Sequence, residues 1–286
     1  MGRVRQTLER RQLGIALRRL RVDSGRTRQE AADRLGKVRS RIAELEDGKS
    51  TIAPTDLAAL LDYYEVGSDE RSTVLALAAE ARKRQPKRPY TDVLPRSFQR
   101  FADMEASALR VRSYEASIVP GLLQSRDYVR AVMSDGDGVW WTASADEVEQ
   151  RTAARLERQA RFLESSEARE MHFIVTEEAL RAVVGSVKIR NGQLAHLAAL
   201  VRERPQLQLQ VLPAGSGNPA RGGGFTLFDF GDRGVPVGFC SATFGPSMYF
   251  DGESDVELLH RAFQRLTGSS LNTAESLALI EGISEE

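Results

Sequence analysis

The segment GKVRSRIAELEDGKS, Gly36 to Ser50, sets Arg39 and Arg41 beside Glu44, Glu46 and Asp47. Cations on a short helix suit phosphate oxygens and the acceptor edges of bases, and carboxylates oppose the same partner. Whether such a helix can meet nucleic acid depends on which face each charge occupies. A second constellation lies further along: Glu115, Gln124, Arg130, Arg155, Arg158 and Gln159. Arg155, Arg158 and Gln159 stand at i, i+3 and i+4, so they share a helix face. If buried, the arginines need carboxylates, and Glu115 and Glu177 are available. The set is either a polar network pinning helices to a sheet or a pocket for an effector or a partner's tail.

Residue patterns of common catalytic chemistries do not emerge. The three histidines, His172, His196 and His260, have no metal-ligand spacing, and the one cysteine, Cys240, is remote from each in sequence. Arg221–Gly222–Gly223–Gly224–Phe225 lacks the Lys-Ser/Thr of a phosphate loop and precedes a strand-like run. No Gly-x-Ser-x-Gly elbow occurs. Adjacent Glu177 and Glu178 would not face each other and suit a helix start. Tyr114, Tyr128, Phe225 and Phe228 read as core rather than ligand stackers. The expectation is a protein without enzyme activity, cofactor or metal.

The whole chain of 286 residues is long enough for two domains, and 40 basic residues balance 40 acidic ones. That balance hides a split. Residues 1–90 hold 20 Lys+Arg and 13 Asp+Glu, a net +7, and the rest hold 20 and 27, a net −7. A basic front on an acidic body suggests a polyanion-binding module. No apolar run is long enough for a membrane span, and the N-terminus lacks the apolar stretch of a secretory signal. A lone cysteine gives no intrachain disulfide and fits a reducing cytoplasm.

Five short helices are expected in the first 82 residues. Leu13, Ala16, Leu17 and Leu20 fall at helical spacing before Gly25. Thr27 with Glu30 forms a capping box ahead of Ala31, Ala32 and Leu35, and Gly36 ends that helix. In the next helix Val38, Ile42 and Leu45 make the buried stripe, while Lys37, Ser40 and Glu44 point away, flanked by Arg41 and Asp47. Gly48 suits the residue after the helix, Pro54 opens a fourth, and Ser68 caps a fifth. Two short helices joined through a glycine turn, the second exposing polar residues, form a helix-turn-helix arrangement.

TRQEAADRLGKVRSRIAELEDGK resembles the Xre/Cro class of helix-turn-helix domains, through Thr27-Arg28, Leu35-Gly36 and Leu45-Glu46-Asp47-Gly48, over about residues 10–66. The resemblance implies that Glu46 is structural, tied to a basic residue of the first helix such as Arg18 or Arg21. It places Arg39, Ser40 and Glu44 toward base edges: Arg39 to guanine, Glu44 accepting from cytosine N4. Arg28 and Arg41 would hold phosphates. The DNA-facing set is then Arg28, Lys37, Val38, Arg39, Ser40, Arg41, Glu44 and Lys49. Many similar domains carry Arg at the place of Glu44, which implies a different preferred sequence or a weaker grip.

Residues 83–98 read as a basic linker, with the arm Arg3, Arg5, Arg10 and Arg11 of similar character. Residues 99–286 read as an α+β domain with a mainly antiparallel sheet. Its strand-like runs are MHFIVTE, LQLQVLP, GFTLFDF and VPVGFCSA; QLQLQVL alternates as though half buried. The order of SYEASIVPGLLQSRDYVRAVM, RTAARLERQARFL and the later segments is similar to the actinobacterial WhiJ-like, or antitoxin-like, transcription factors. That similarity implies a developmental or antibiotic-linked regulator and a small acidic BldB-like partner encoded nearby. The expected whole is a cytoplasmic, nucleoid-associated repressor, dimeric on a palindromic operator. The alternative is an interaction module that sequesters a small partner, with DNA binding secondary.

Overall fold

The computed structural model describes residues 7–82, 90–92, 97–136, 144–164, 169–242 and 246–285. Most of the expected linker, with Arg3 and Arg5, lies outside them. The chain forms two compact units: Met1–Ala108 with Phe228–Val256, and Leu109–Leu227 with Glu257–Glu286. The expected class holds, a helical bundle followed by α+β structure.

The first unit opens with α1 (Leu8–Asp23), α2 (Arg28–Leu35), α3 (Arg39–Glu46), α4 (Pro54–Tyr63) and α5 (Ser68–Arg82). Three of these starts have a local cause. Thr7 accepts from the Arg10 amide at α1, Thr27 and Glu30 form the capping box of α2, and Pro54 supplies a preset φ at the first position of α4. Gly36, at φ 62°, turns the chain from α2 into α3 in the left-handed region where other residues are strained. The core joins Leu13, Leu17 and Leu20 of α1 to Ala31 and Ala32, Ile42 and Leu45, Leu57, Leu60 and Leu61, and Val74 and Leu77. Burying one leucine or isoleucine here contributes about 2 kcal/mol.

Two sequence expectations shift in this bundle. Val38 is 67% exposed and does not extend the stripe of Ile42 and Leu45. It precedes α3 with extended backbone, so the 100° helical progression does not apply to it. Ser68 does not cap α5 from outside; it is its first helical residue. The Gly67 carbonyl accepts from the Arg71 amide, and the Ser68 hydroxyl turns to the Asp69 carboxylate.

The same unit holds α6 (Ser97–Ser107) and three strands, β1 (Tyr90–Asp92), β6 (Val237–Cys240) and β7 (Ser247–Phe250). β7 pairs antiparallel with both β1 and β6. Helix α6 packs on α1, where Arg19 Nε donates to the Asp103 carboxylate at 2.9 Å. Phe101 of α6 sits against Phe239 of β6, ring centroids 4.4 Å apart.

In the second unit β2 (Arg110–Glu115), β3 (Glu170–Thr176) and β4 (Leu207–Leu212) run parallel, in register Tyr114 to Ile174 and Ile174 to Gln210. The sheet structure is thus mixed, with antiparallel pairs in one unit and a parallel trio in the other. Parallel neighbours need long crossovers. The first carries a 3-10 turn (Gly121–Leu123), α7 (Arg126–Asp135) and α8 (Ala145–Leu163), and the second carries α9 (Glu177–Arg181) and α10 (Val187–Glu203). β5 (Phe225–Asp229) begins in this unit beside β2 and ends in the other, as α11 (Glu253–Ser269) does in reverse; α12 (Thr273–Glu285) completes the chain.

β4 is covered on both faces for most of its length rather than half buried. Gln208 is exposed, yet Gln210 is buried: its Oε1 accepts from His172 Nε2 at 2.7 Å and its Nε2 donates to the Leu271 carbonyl. Helices α10 and α12 pack on this strand, and the alternation of its sequence is met by hydrogen bonding rather than by water.

Candidate nucleic-acid interface and the polar cluster of the second unit

Glu46 is the most enclosed charge of the recognition region. Arg21 Nε donates to its Oε1 at 2.5 Å and Nη2 to its Oε2 at 3.1 Å. Arg28 Nε donates to the same Oε2 at 2.7 Å. Of the two candidate partners in α1, Arg21 is the one used; Arg18 is exposed. Glu46 is 5% exposed, so its charge is spent inside the bundle and contributes little to the outer face. Arg28 was expected on phosphates. Its Nε pairs with Glu46, and 29% of its side chain is exposed.

The outer face is made by what remains. Lys37, Val38, Arg39, Ser40, Arg41, Glu44 and Lys49 are all exposed. Arg41 Nη2 donates to the Thr51 carbonyl at 2.9 Å and its Nη1 lies 3.5 Å from Glu44. Both partners of that pair are solvated, so it contributes at most about 1 kcal/mol, but it partly neutralises Glu44. Lys49 pairs with Asp47 at 2.8 Å in the same exposed manner. No acid stands in the first turn of α3, where a carboxylate would compete with an incoming anion for the positive end of the helix.

The sequence constellation of the second unit separates into two groups. Glu115, Gln124, Arg155, Arg158 and Gln159 converge; Arg130 does not. Arg130 is on the outer side of α7, opposite the buried Tyr128, Val129, Ala131 and Met133, and pairs with Glu149 together with Arg126. Glu177 also stays apart: it accepts from Arg181 Nε at 2.8 Å and from the Ala214 amide at 3.0 Å.

The convergent group sits where β2 ends. Glu115 is the last residue of that strand. Burial pushes its carboxyl up to about 7, with the charge of Arg158 acting in the opposite sense. Gly224 lies against it: a Cβ there would fall 2.5 Å from Oε2 and 2.7 Å from the Tyr114 carbonyl. Gly121 meets Arg158 in the same way, at 3.2 Å from Nη2. Gln159 donates to the carbonyls of Gly121 and Gln124, and Gln124 donates to that of Val119. Arg155 Nη1 reaches Gln124 Oε1 at 3.5 Å, and burial, then Arg158, pull its guanidinium down to about 10.

Comparison with known families adds two matches. A model described as a helix-turn-helix domain matches residues 12–74, and one described as a domain of unknown function, DUF5753, matches residues 98–282. The second spans more than half of the chain. The chain belongs to the DUF5753 family. No curated protein and no solved structure matches it.

The DUF5753 region thus includes all but the first residue of α6, and β6 and β7, which share the first unit with the helix-turn-helix, as well as the whole polar cluster. Sequence reasoning found the charged members of that cluster and missed the glycines that shape it. Gly224 carried a signal, the run Gly222–Gly224 just before a strand, but its reason, close approach to a carboxylate, is visible only in space. Gln193 was also missed; it accepts from the Ser125 amide and donates to the Leu123 carbonyl, tying α10 to the Gly121 turn. Tyr114, Tyr128, Phe225 and Phe228 are buried, as expected of core aromatics. No helix among the described residues is long and apolar enough to cross a membrane, and no cluster of His, Cys, Asp and Glu among them could hold a metal ion.

Proposed function

We propose that this chain is a sequence-specific transcriptional repressor of the Xre type, cytoplasmic and associated with the nucleoid. It acts as a homodimer on a palindromic operator. The observation that carries the reading is the partition of charge on α3. Glu46 is withdrawn into a buried pair with Arg21 and Arg28, and Lys37, Arg39 and Arg41 are left on the surface with Ser40. Arg39 reads a guanine, Glu44 accepts from a cytosine N4, and Lys37, Arg41 and Lys49 hold phosphates, with Val38 against the groove wall.

Binding-site selection on random duplexes, followed by mobility shift, tests this. Arg39→Ala weakens the selected site by about 1–3 kcal/mol and broadens the preference at one base pair. Lys37→Ala weakens all sequences alike and lowers the salt slope by about one. An Arg39→Ala protein with unchanged affinity and preference sinks the reading.

A second reading concerns the DUF5753 region. The convergence of Glu115, Arg155 and Arg158 at the carboxyl end of a parallel strand, a common place for ligands, favours a role in binding an effector. A small acidic partner encoded nearby, as in WhiJ-like regulators, is the alternative occupant. In that form the protein acts as an antitoxin-like module and DNA binding is secondary. Neither form requires enzyme activity or a cofactor. Pull-down with the neighbouring gene product, against a thermal-shift screen of small molecules, separates the two.

A further inference from the structure

Arg11, expected in a basic N-terminal arm with Arg10, lies instead within α1 and is only 5% exposed. Its guanidinium lies 3.6 Å from the centroid of the Phe230 ring. Nη1 donates to the Val235 carbonyl at 2.8 Å and Nη2 to the Arg233 carbonyl at 3.2 Å. Gly234 leaves room for it, because a Cβ there would come within 2.1 Å of Nη2. These residues form the turn between β5 and β6 in the DUF5753 region, within the same compact unit as α1.

The backbone of Arg11 faces the other way, onto the end of α3. Gly48, at φ 68°, approaches so closely that a Cβ would lie 2.8 Å from the Arg11 Cα. One turn further on, Gly14 meets the last carbonyls of α3, where a Cβ would fall 2.5 Å from the Glu46 oxygen. Burial pulls the Arg11 guanidinium down to about 10, with Asp47 acting against the fall. A buried cation is costly, and two carbonyls with an aromatic face offset that cost only in one geometry. An apolar side chain would fill the same space without fixing the turn.

We infer that Arg11 is a positioning residue, through which the Phe230–Val235 turn of the DUF5753 region sets the seat of the recognition helix. The unit that binds DNA therefore includes Phe228–Val256 as well as the five N-terminal helices. This inference rests on the DNA-binding reading of α3, and its test has an arm that does not.

Full-length Arg11→Ala, Arg11→Lys, Gly234→Ala and the Arg11→Ala/Gly234→Ala double variant are compared. Two measurements are made: affinity for the selected operator over a salt series, and hydrogen exchange of residues 40–47 in the free protein. Arg11→Ala and Gly234→Ala each weaken binding about tenfold, close to 1.4 kcal/mol. The salt slope stays at the wild-type value, because no phosphate contact is lost. Lysine does not rescue, having no planar fork. The double variant resembles either single one, since both remove the same contact. Exchange at residues 40–47 quickens in each.

Unchanged affinity and exchange in the single variants overturn the inference, as does full additivity in the double. A salt slope lowered by Arg11→Ala alone, with Gly234→Ala silent, also overturns it and makes Arg11 a phosphate contact. If Arg11→Ala does not fold, Phe230→Leu removes the stacking at nearly constant volume and is read in the same way. If no duplex is selected by the wild-type protein, the reading of α3 has failed, and the exchange of residues 40–47 decides the role of Arg11 by itself.

Discussion

At the scale of single residues, Glu46 is an acid that assists a cationic surface by leaving it. Removing it strands two guanidiniums, one of them largely enclosed. Glu46→Ala is expected to lower unfolding stability by about 3–5 kcal/mol, measured by urea denaturation. Arg28→Ala costs less than Arg21→Ala, because Arg28 is more exposed and Arg21 keeps a second bond to the Arg26 carbonyl. Glu115 gives a prediction of opposite sign. Its folded pKa of about 7 lies above the ordinary value of 4.5, so it adds stability that is fully present below pH 4.5 and lost as pH rises through 7. Glu115→Gln should flatten the fall between those limits, by a total of about 3 kcal/mol. Chemical denaturation at pH 4.5, 6 and 8 checks it, and a pH-independent difference between the two proteins would refute it.

How far such residues could be read from sequence depended on the range of their contacts. The capping box of Thr27 and Glu30 is local, so spacing alone revealed it. Glu46 was recognisable as structural through its motif, and α1 as the source of its partner. The choice of Arg21 over Arg18 needed the rotation of α1 about its axis, and the arrival of Arg28 needed the turn at Gly36. Arg130 failed because its neighbours in sequence, not its own type, decide which side of α7 it occupies.

Among elements, the two glycines that frame the recognition helices do opposite things. Gly36 has nothing within 4 Å of its missing Cβ, so Gly36→Ala pays only for a left-handed backbone, about 1 kcal/mol. Gly14 has ordinary helical surroundings in α1, where alanine would usually gain about 1 kcal/mol. Here the Cβ would collide with the Leu45 and Glu46 carbonyls, so Gly14→Ala must push α1 and α3 apart. Gly14→Ala is therefore expected to melt lower than Gly36→Ala and to lose operator binding, as calorimetry and mobility shift would show. Strands were legible by composition, but their direction was not. Val175 and its neighbours form a run suited to burial on both faces, which fits a parallel strand as well as a central antiparallel one. β1 and β7, of three and four residues, are too short for alternation to register.

For the whole molecule, composition marked a basic front and an acidic remainder, and compactness draws a different line. Helix α6 and the Phe228–Val256 segment stay with the helix-turn-helix, held by Arg19 to Asp103, Leu8 to Asp251 and Arg11 to the turn. A fragment of residues 1–82 would lack all three partners. It is expected to melt lower than the same helices in the full chain, with faster exchange in α1, as hydrogen-exchange mass spectrometry would report. Equal protection in fragment and full chain would show that these contacts contribute nothing to the bundle.

Because the first unit is assembled from two separated stretches, it has a history in time as well as a shape. Its N-terminal stretch ends at Ala108 and its second begins at Phe228. At about 5–20 residues per second, a ribosome needs on the order of ten seconds to cross that gap. During that interval α1 exists while the carbonyls that receive Arg11 have yet to be made. A chain ended early within the gap would release five helices whose guanidinium has no seat. Such a product would compete for DNA, if at all, with a recognition helix held only by its own bundle.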